Sequence, residues 1–135
     1  MAKAMAEHPH AALVRKGFEA FSRGDMDTLR ELIAGDATHH VPGEHPLSGD
    51  FKGVNSMIEM YERLGAETNG TMRAELIGVA VDGRGHAVGM SRFTAERNGK
   101  RLDDTGALIF RIVGDKVTDI DECVEDIDKN NEFWS

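Results

Sequence analysis

The sequence predicts a single α+β domain, with helices gathered in its first half and an antiparallel sheet in its second. Three observations carry this expectation. Apolar residues recur at helical spacing as far as Gly65 and at alternating spacing after Thr68-Asn69-Gly70. The alternating half is cut by Asp82-Gly83, Asn98-Gly99 and Gly114-Asp115, turn pairs placed as in a meander. The 135 residues are enough for one domain around one core, and no linker, internal repeat or low-complexity run divides residues 1–135.

The elements follow in order. His8-Pro9 starts a first helix, since proline is tolerated in the first turn, and Val14, Phe18 and Phe21 make its apolar stripe up to Arg23-Gly24-Asp25. Asp25 caps a second helix whose buried face is Met26, Leu29, Leu32 and Ile33 and whose end is Gly35. Ala37 to Val41 reads as a short strand, followed by a loop of breakers from Pro42 to Gly49. A third helix runs from about Val54 to Gly65 with Met57, Ile58, Tyr61 and Leu64 on one face. Strands are expected at Met72 to Val81, Ala87 to Arg97, Leu102 to Val113 and Val117 to Val124. Asn98-Gly99 is the most specific turn signal, because a primed two-residue hairpin needs positive φ at both positions. The end, Asp126 to Trp134, is helical or docked, since Phe133 and Trp134 are too large and apolar to stand in water. A twisted sheet that curls around the helices forms a cone with a hollow for a small molecule.

Composition narrows the function classes. The chain is 40% hydrophobic and 30% charged, as in an ordinary globular protein. Its net charge of -8, with 16 basic residues scattered among 24 acidic ones, argues against nucleic acid and for a small, neutral partner. Cys123 is the single cysteine, which excludes an internal disulfide or a cysteine-built zinc site and fits a reducing, cytoplasmic location. The N-terminal Met1 to His10 lacks the apolar stretch of a signal peptide, and no segment reaches membrane-spanning length.

Several segments resemble a known superfamily. Phe18-Glu-Ala-Phe-Ser-Arg-Gly-Asp-Met-Asp-Thr-Leu29, Gly35-Asp-Ala-Thr38, Val41-Pro-Gly-Glu-His-Pro-Leu-Ser-Gly49 and the closing Asp126-Ile-Asp-Lys-Asn-Asn-Glu-Phe-Trp134 look like SnoaL-like and ketosteroid-isomerase-like proteins. These belong to the nuclear-transport-factor-two-like superfamily. The resemblance implies a cone-shaped sheet wrapped around three N-terminal helices, the cystatin-like α+β barrel, and a homodimer. It implies no single reaction, because members include isomerases, polyketide cyclases, epoxide hydrolases, dehydratases and proteins without catalysis. Carried over by residue, the family's general-base carboxylate falls at Val41 in one alignment and at His40 in another. Its oxyanion tyrosine falls near Gly17 and its partner acid near Leu108 or Ile109, none of which can donate a side-chain proton. A standard ketosteroid isomerase is thereby disfavoured.

The candidate residues follow from these two readings. His39 and His40 are adjacent on a strand, so only one faces the hollow and the pair cannot chelate a metal together. With His8, His10, His45 and His86 dispersed, no metal or other cofactor is expected. His40 is the expected general base, against the blander reading of a core histidine bonded to the backbone. On the last strand Asp119, Asp121 and Cys123 alternate with Ile120, Glu122 and Val124. An inward Asp121 serves as acid/base; otherwise the acids form a solvated face. An inward Arg92 pairs with Asp121 or with a ligand anion. Tyr61, Phe18 and Trp134 are expected to bind substrate, with packing as the alternative for each. Asp103 and Asp104 read as surface, Cys123 as packing and Gly83-Arg84-Gly85 as a turn. The expected function is a cofactor-independent cyclase or isomerase that moves a proton on a small hydrophobic, carbonyl-bearing substrate. The alternative is a non-catalytic ligand-binding or dimeric interaction domain of the same fold.

Overall fold

A computed structural model describes residues 7–135 of the chain. The reading of the first ten residues as lacking a leader falls mostly outside them. In chain order the elements are α1 (Pro9–Arg23), α2 (Met26–Leu32), β1 (Ile33–Val41), β2 (Gly49–Lys52), α3 (Val54–Glu67), β3 (Arg73–Val81), β4 (His86–Arg97), β5 (Lys100–Val113), β6 (Lys116–Val124) and α4 (Ile127–Trp134). No helix among the described residues is long and apolar enough to cross a membrane.

The six strands form one curved, unclosed sheet in the order β2-β1-β6-β5-β4-β3. The expected meander is present: β3 to β6 pair antiparallel in succession. Asn98 and Gly99 both take positive φ (51° and 74°), as the primed hairpin requires. β1 returns beside β6 in parallel, which brings the N-terminal and C-terminal halves of the chain into one sheet. β2 is a short antiparallel edge on β1 that the loop signals at Gly43 and Gly49 had hidden.

The chain turns from α2 into β1 earlier than Gly35. Asp25 caps α2 as expected, its Oδ1 accepting the Thr28 N–H at 3.1 Å. The helix nevertheless stops at Leu32, and Ile33 is already extended and paired with Val117. The Lys116 ammonium donates to the Glu31 carbonyl and so covers one of the open helix-end carbonyls.

α1 and α3 lie on the concave face of the sheet. Val14, Phe18, Met57, Ile58 and Tyr61 pack there against Ala74, Ala87, Phe110, Ile112 and Ile120. Gly89 lets α1 approach, because a Cβ at that position would stand 3.0 Å from Cε2 of Phe18. α4 closes one end with a second apolar cluster, in which Phe133 and Trp134 pack on Leu47, Ala95 and Leu102. Arg97 holds this closure, donating to the Phe133 and Ser135 carbonyls at 3.0 Å each and pairing with Glu67.

Candidate functional site

The hollow between helices and sheet measures about 120 Å³. Phe18, Phe21, Leu64, Phe93, Phe110 and Trp134 give it an apolar wall. Of the residues expected to bind substrate, Phe18, Tyr61 and Trp134 line it.

One polar chain crosses this wall. Tyr61 Oη lies 2.8 Å from His39 Nδ1, and His39 Nε2 lies 2.9 Å from Glu122 Oε1. Burial, followed by the nearby Glu122 charge, pushes the Tyr61 phenol far above its ordinary value, so it keeps its proton. A protonated phenol next to an imidazole nitrogen donates to it, which leaves Nδ1 as acceptor and Nε2–H as donor to the Glu122 carboxylate. His39 is only 4% exposed, and its hydrogen-bonding capacity is met by these two partners. Glu122 differs, since its Oε2 makes no hydrogen bond among the described residues and its side chain opens into the hollow. A carboxylate with one oxygen anchored and one free can accept a proton from a bound molecule.

Two further polar groups line the hollow, Asn130 and His45. Asn130 Nδ2 donates to Asp104 Oδ2 at 2.8 Å and to the Asp126 carbonyl at 2.9 Å. Asp104, expected at the surface, is therefore buried as the anchor of α4, whereas Asp103 is half-exposed at the surface. His45 accepts the Leu47 N–H at Nδ1 and stacks on Trp134 with ring centroids 6.3 Å apart. Its partial burial favours the neutral imidazole and outweighs the opposing effects of the Glu122 charge and the Pro42 carbonyl.

His40, Asp121 and Arg92 do not enter this hollow. Alternation admits one histidine, and that residue is His39, on the same face as Ala37 and Val41. His40 points from the outer face, 2.7 Å from Asp50 Oδ1, 3.0 Å from Asp119 Oδ1 and 4.0 Å from Asp121 Oδ1. Hydrogen bonds to Asp50 and Asp119 hold its imidazole above its ordinary value. The expected acid/base pair thus meets, but on the other side of the sheet. Arg92 also faces outward and forks onto Asp103 at 2.9 and 2.7 Å. Cys123 is exposed rather than packed.

The reason lies in one extra residue. Arg111 pairs with Asp119 while Ile112 pairs with Val117, so Thr118 is a bulge. It reverses the alternation within β6: Val117 faces inward, and then Ile120, Glu122 and Val124 do, leaving Asp119 and Asp121 outside. Sequence reasoning therefore missed Glu122. The available signal was its company, because Ile120 and Val124 are apolar at i±2 whereas Asp121 has Asp119 and Cys123 there.

Comparison with known proteins accords with this geometry. Residues 14–120 match the SnoaL-like domain family. An uncharacterised protein of Mycobacterium tuberculosis is 34% identical over 123 residues, covering 91% of this chain and 94% of the relative. The structure of Bal32a, from a soil-derived mobile gene cassette, is 39% identical with a TM-score of 0.92, covering 94% of this chain and 97% of that one. A Jannaschia protein named as a SnoaL-like polyketide cyclase shares the fold, with a TM-score of 0.74 at 15% identity over 93% of this chain and 91% of its own. By family match, and with relatives of nearly the same length, the chain belongs to the SnoaL-like domain family.

Proposed function

We propose that the protein is a cofactor-independent acid–base enzyme of the cyclase or isomerase type, with Glu122 as the base. The observation that carries this reading is the Tyr61–His39–Glu122 chain, which ends in a half-free carboxylate inside an apolar hollow. His39 fixes one oxygen of Glu122, and Tyr61 fixes the tautomer of His39, so the carboxylate is positioned before substrate arrives. An apolar wall suits a small hydrophobic substrate, and a carboxylate base suits a carbon acidified by a carbonyl.

The committed donors sharpen the substrate class. Tyr61 spends its proton on His39, His39 spends its own on Glu122, and the Asn130 amide donates to Asp104 and Asp126. None of these groups is left to donate to an enolate oxygen. The site then suits a substrate that delocalises its own developing charge, as a carbon between two carbonyls or in a conjugated enone does. The polyketide cyclase named among the structural neighbours supports this direction, as does the family.

The test is hydrogen exchange at carbon in D2O, followed by proton NMR across a panel of hydrophobic dicarbonyls and enones. Protein-dependent exchange that falls on the order of 100-fold or more in Glu122→Gln, with folding retained, supports the reading. Binding without any protein-dependent exchange replaces it with the second reading, a ligand-binding domain, which the small, donor-poor hollow favours. The protein is further proposed to act in the cytoplasm as a homodimer joined through the outer face of β3 and β4, where Ile77 and Met90 stand exposed. Sedimentation of the wild type against Met90→Lys checks the dimer.

A further inference from the structure

The outer face of the sheet carries a second constellation that the proposed chemistry does not use. Three strands build it. β1 pairs His40 with Asp50 on β2 and with Asp121 on β6, and Asp119 stands two residues before Asp121 on the same face. Sequence separation hid this group, since its members come from three segments joined by one antiparallel and one parallel ladder.

We propose that His40, Asp119 and Asp121 form a binding site for a first-row divalent cation of the zinc–manganese class, with Asp50 as the supporting carboxylate behind His40. The ligand atoms are already close: His40 Nε2 lies 3.0 Å from Asp119 Oδ1 and 4.0 Å from Asp121 Oδ1, and all three lie within 4.8 Å of one another. Ligands about 2.0–2.2 Å from such a metal stand roughly 3.0–3.5 Å apart, so side-chain rotation closes the set. The first ladder supplies more than proximity. Asp50 Oδ1, 2.7 Å from Nδ1, accepts that nitrogen's N–H and aims Nε2 at Asp119 and Asp121, where a bound cation would displace the Nε2 proton. A carboxylate behind a ligating imidazole is how protein sites orient a metal-binding histidine and raise its basicity.

Charge argues in the same direction. Three carboxylates converge on His40, and none forms an ion pair with a lysine or arginine among the described residues. The nearby Arg111 leans instead on His86, at 3.3 Å. Asp119 and Asp121 border a shallow depression edged by Ile109, Arg111 and His86, which leaves room for waters to complete the coordination shell. One imidazole with two carboxylates suits zinc, manganese or cobalt better than magnesium, which prefers oxygen alone.

The test is titration of the chelator-treated full chain with Zn2+ by calorimetry, paired with Mn2+ broadening of backbone amide NMR signals. One equivalent of saturable Zn2+ binding is expected, weakened at least tenfold in both His40→Asn and Asp121→Asn and unchanged in His86→Asn. Mn2+ broadening in the wild type should centre on residues 40, 119 and 121, a readout that does not depend on any variant folding. The absence of saturable binding below millimolar Zn2+, binding unaltered in the two ligand variants, or broadening centred on His86 and Asp82 would each overturn the proposal.

Discussion

Replacing Tyr61 by phenylalanine tests the buried polar chain with the least disturbance to packing. The ring remains, and with it the edge-on contacts to Phe21 and His39, whose centroids lie 5.8 and 5.7 Å away. What disappears is one hydroxyl, and His39 Nδ1 is then left without a donor at a position 4% exposed. A buried polar atom stripped of its partner costs about 1–3 kcal/mol. In a chain of this length about 2 kcal/mol lowers Tm by roughly 6–10 °C. Calorimetry or denaturant unfolding measures it, and a cycle with His39→Leu isolates the pair. In the His39→Leu background the Tyr61 hydroxyl is the stranded group, so removing it should be neutral or stabilising. A loss below about 0.5 kcal/mol for the single variant, or the same loss in both backgrounds, would show that the hydroxyl and imidazole are not joined as described.

Three further outcomes follow from the geometry. Gly106→Ala should cost several kcal/mol, because its Cβ collides with the backbone carbonyl of Cys123 and stands 3.0 Å from Cε2 of Phe93; thermal unfolding reads the loss. Deleting Thr118 should abolish soluble folded protein while Thr118→Ala costs no more than about 1 kcal/mol, since the residue's presence and not its hydroxyl sets the alternation of β6; a native-like Tm in the deletion would refute the bulge argument. His45, whose folded-state pKa lies below its ordinary value of 6.5, is neutral in the fold and gains its proton more readily unfolded. Its contribution is therefore fully present above about pH 6.5 and is lost as pH falls through the depressed folded-state value. His45→Gln should flatten the stability profile across that window, as measured by unfolding at a series of pH values.

What the sequence disclosed depended on whether the deciding force was local. Asn98-Gly99, the Asp25 cap and the apolar stripes through Phe18 and Tyr61 were legible because positive φ, a capping oxygen and helical periodicity are properties of neighbouring residues. The end of α2 was not, because Ile33 leaves the helix to pair with Val117, more than eighty residues away. β2 was not, because four residues between two glycines acquire strand character only from β1. Within the candidate site, Phe18, Tyr61 and Trp134 were found from their size and apolar surface. The inward histidine was misplaced because strand alternation says that one histidine faces inward without saying which. Thr118 then shifted the count on the facing strand. Val41 beside His39 and Ile120 beside Glu122 carried the missing information, since an apolar residue two positions away shares its face with the polar residue between turns of the pleat.

The same two strands, β1 and β6, present nearly the same chemistry on both faces of the sheet. His39 and Glu122 stand inside, His40 with Asp119 and Asp121 outside, and each face pairs an imidazole with a carboxylate at about hydrogen-bond distance. Their environments separate them. Inside, burial keeps the Tyr61 proton in place, that proton fixes the imidazole tautomer, and a single carboxylate is left with one oxygen for a ligand. Outside, three carboxylates surround one half-exposed ring, solvent screens each pair, and the excess negative charge is suited to a cation rather than to a hydrophobic molecule. Residue type alone could not distinguish a base from a ligand here, because a one-residue step along either strand exchanges the two environments. The bulge at Thr118 is therefore the feature on which both assignments rest: it places Glu122 in the hollow and Asp121 beside His40.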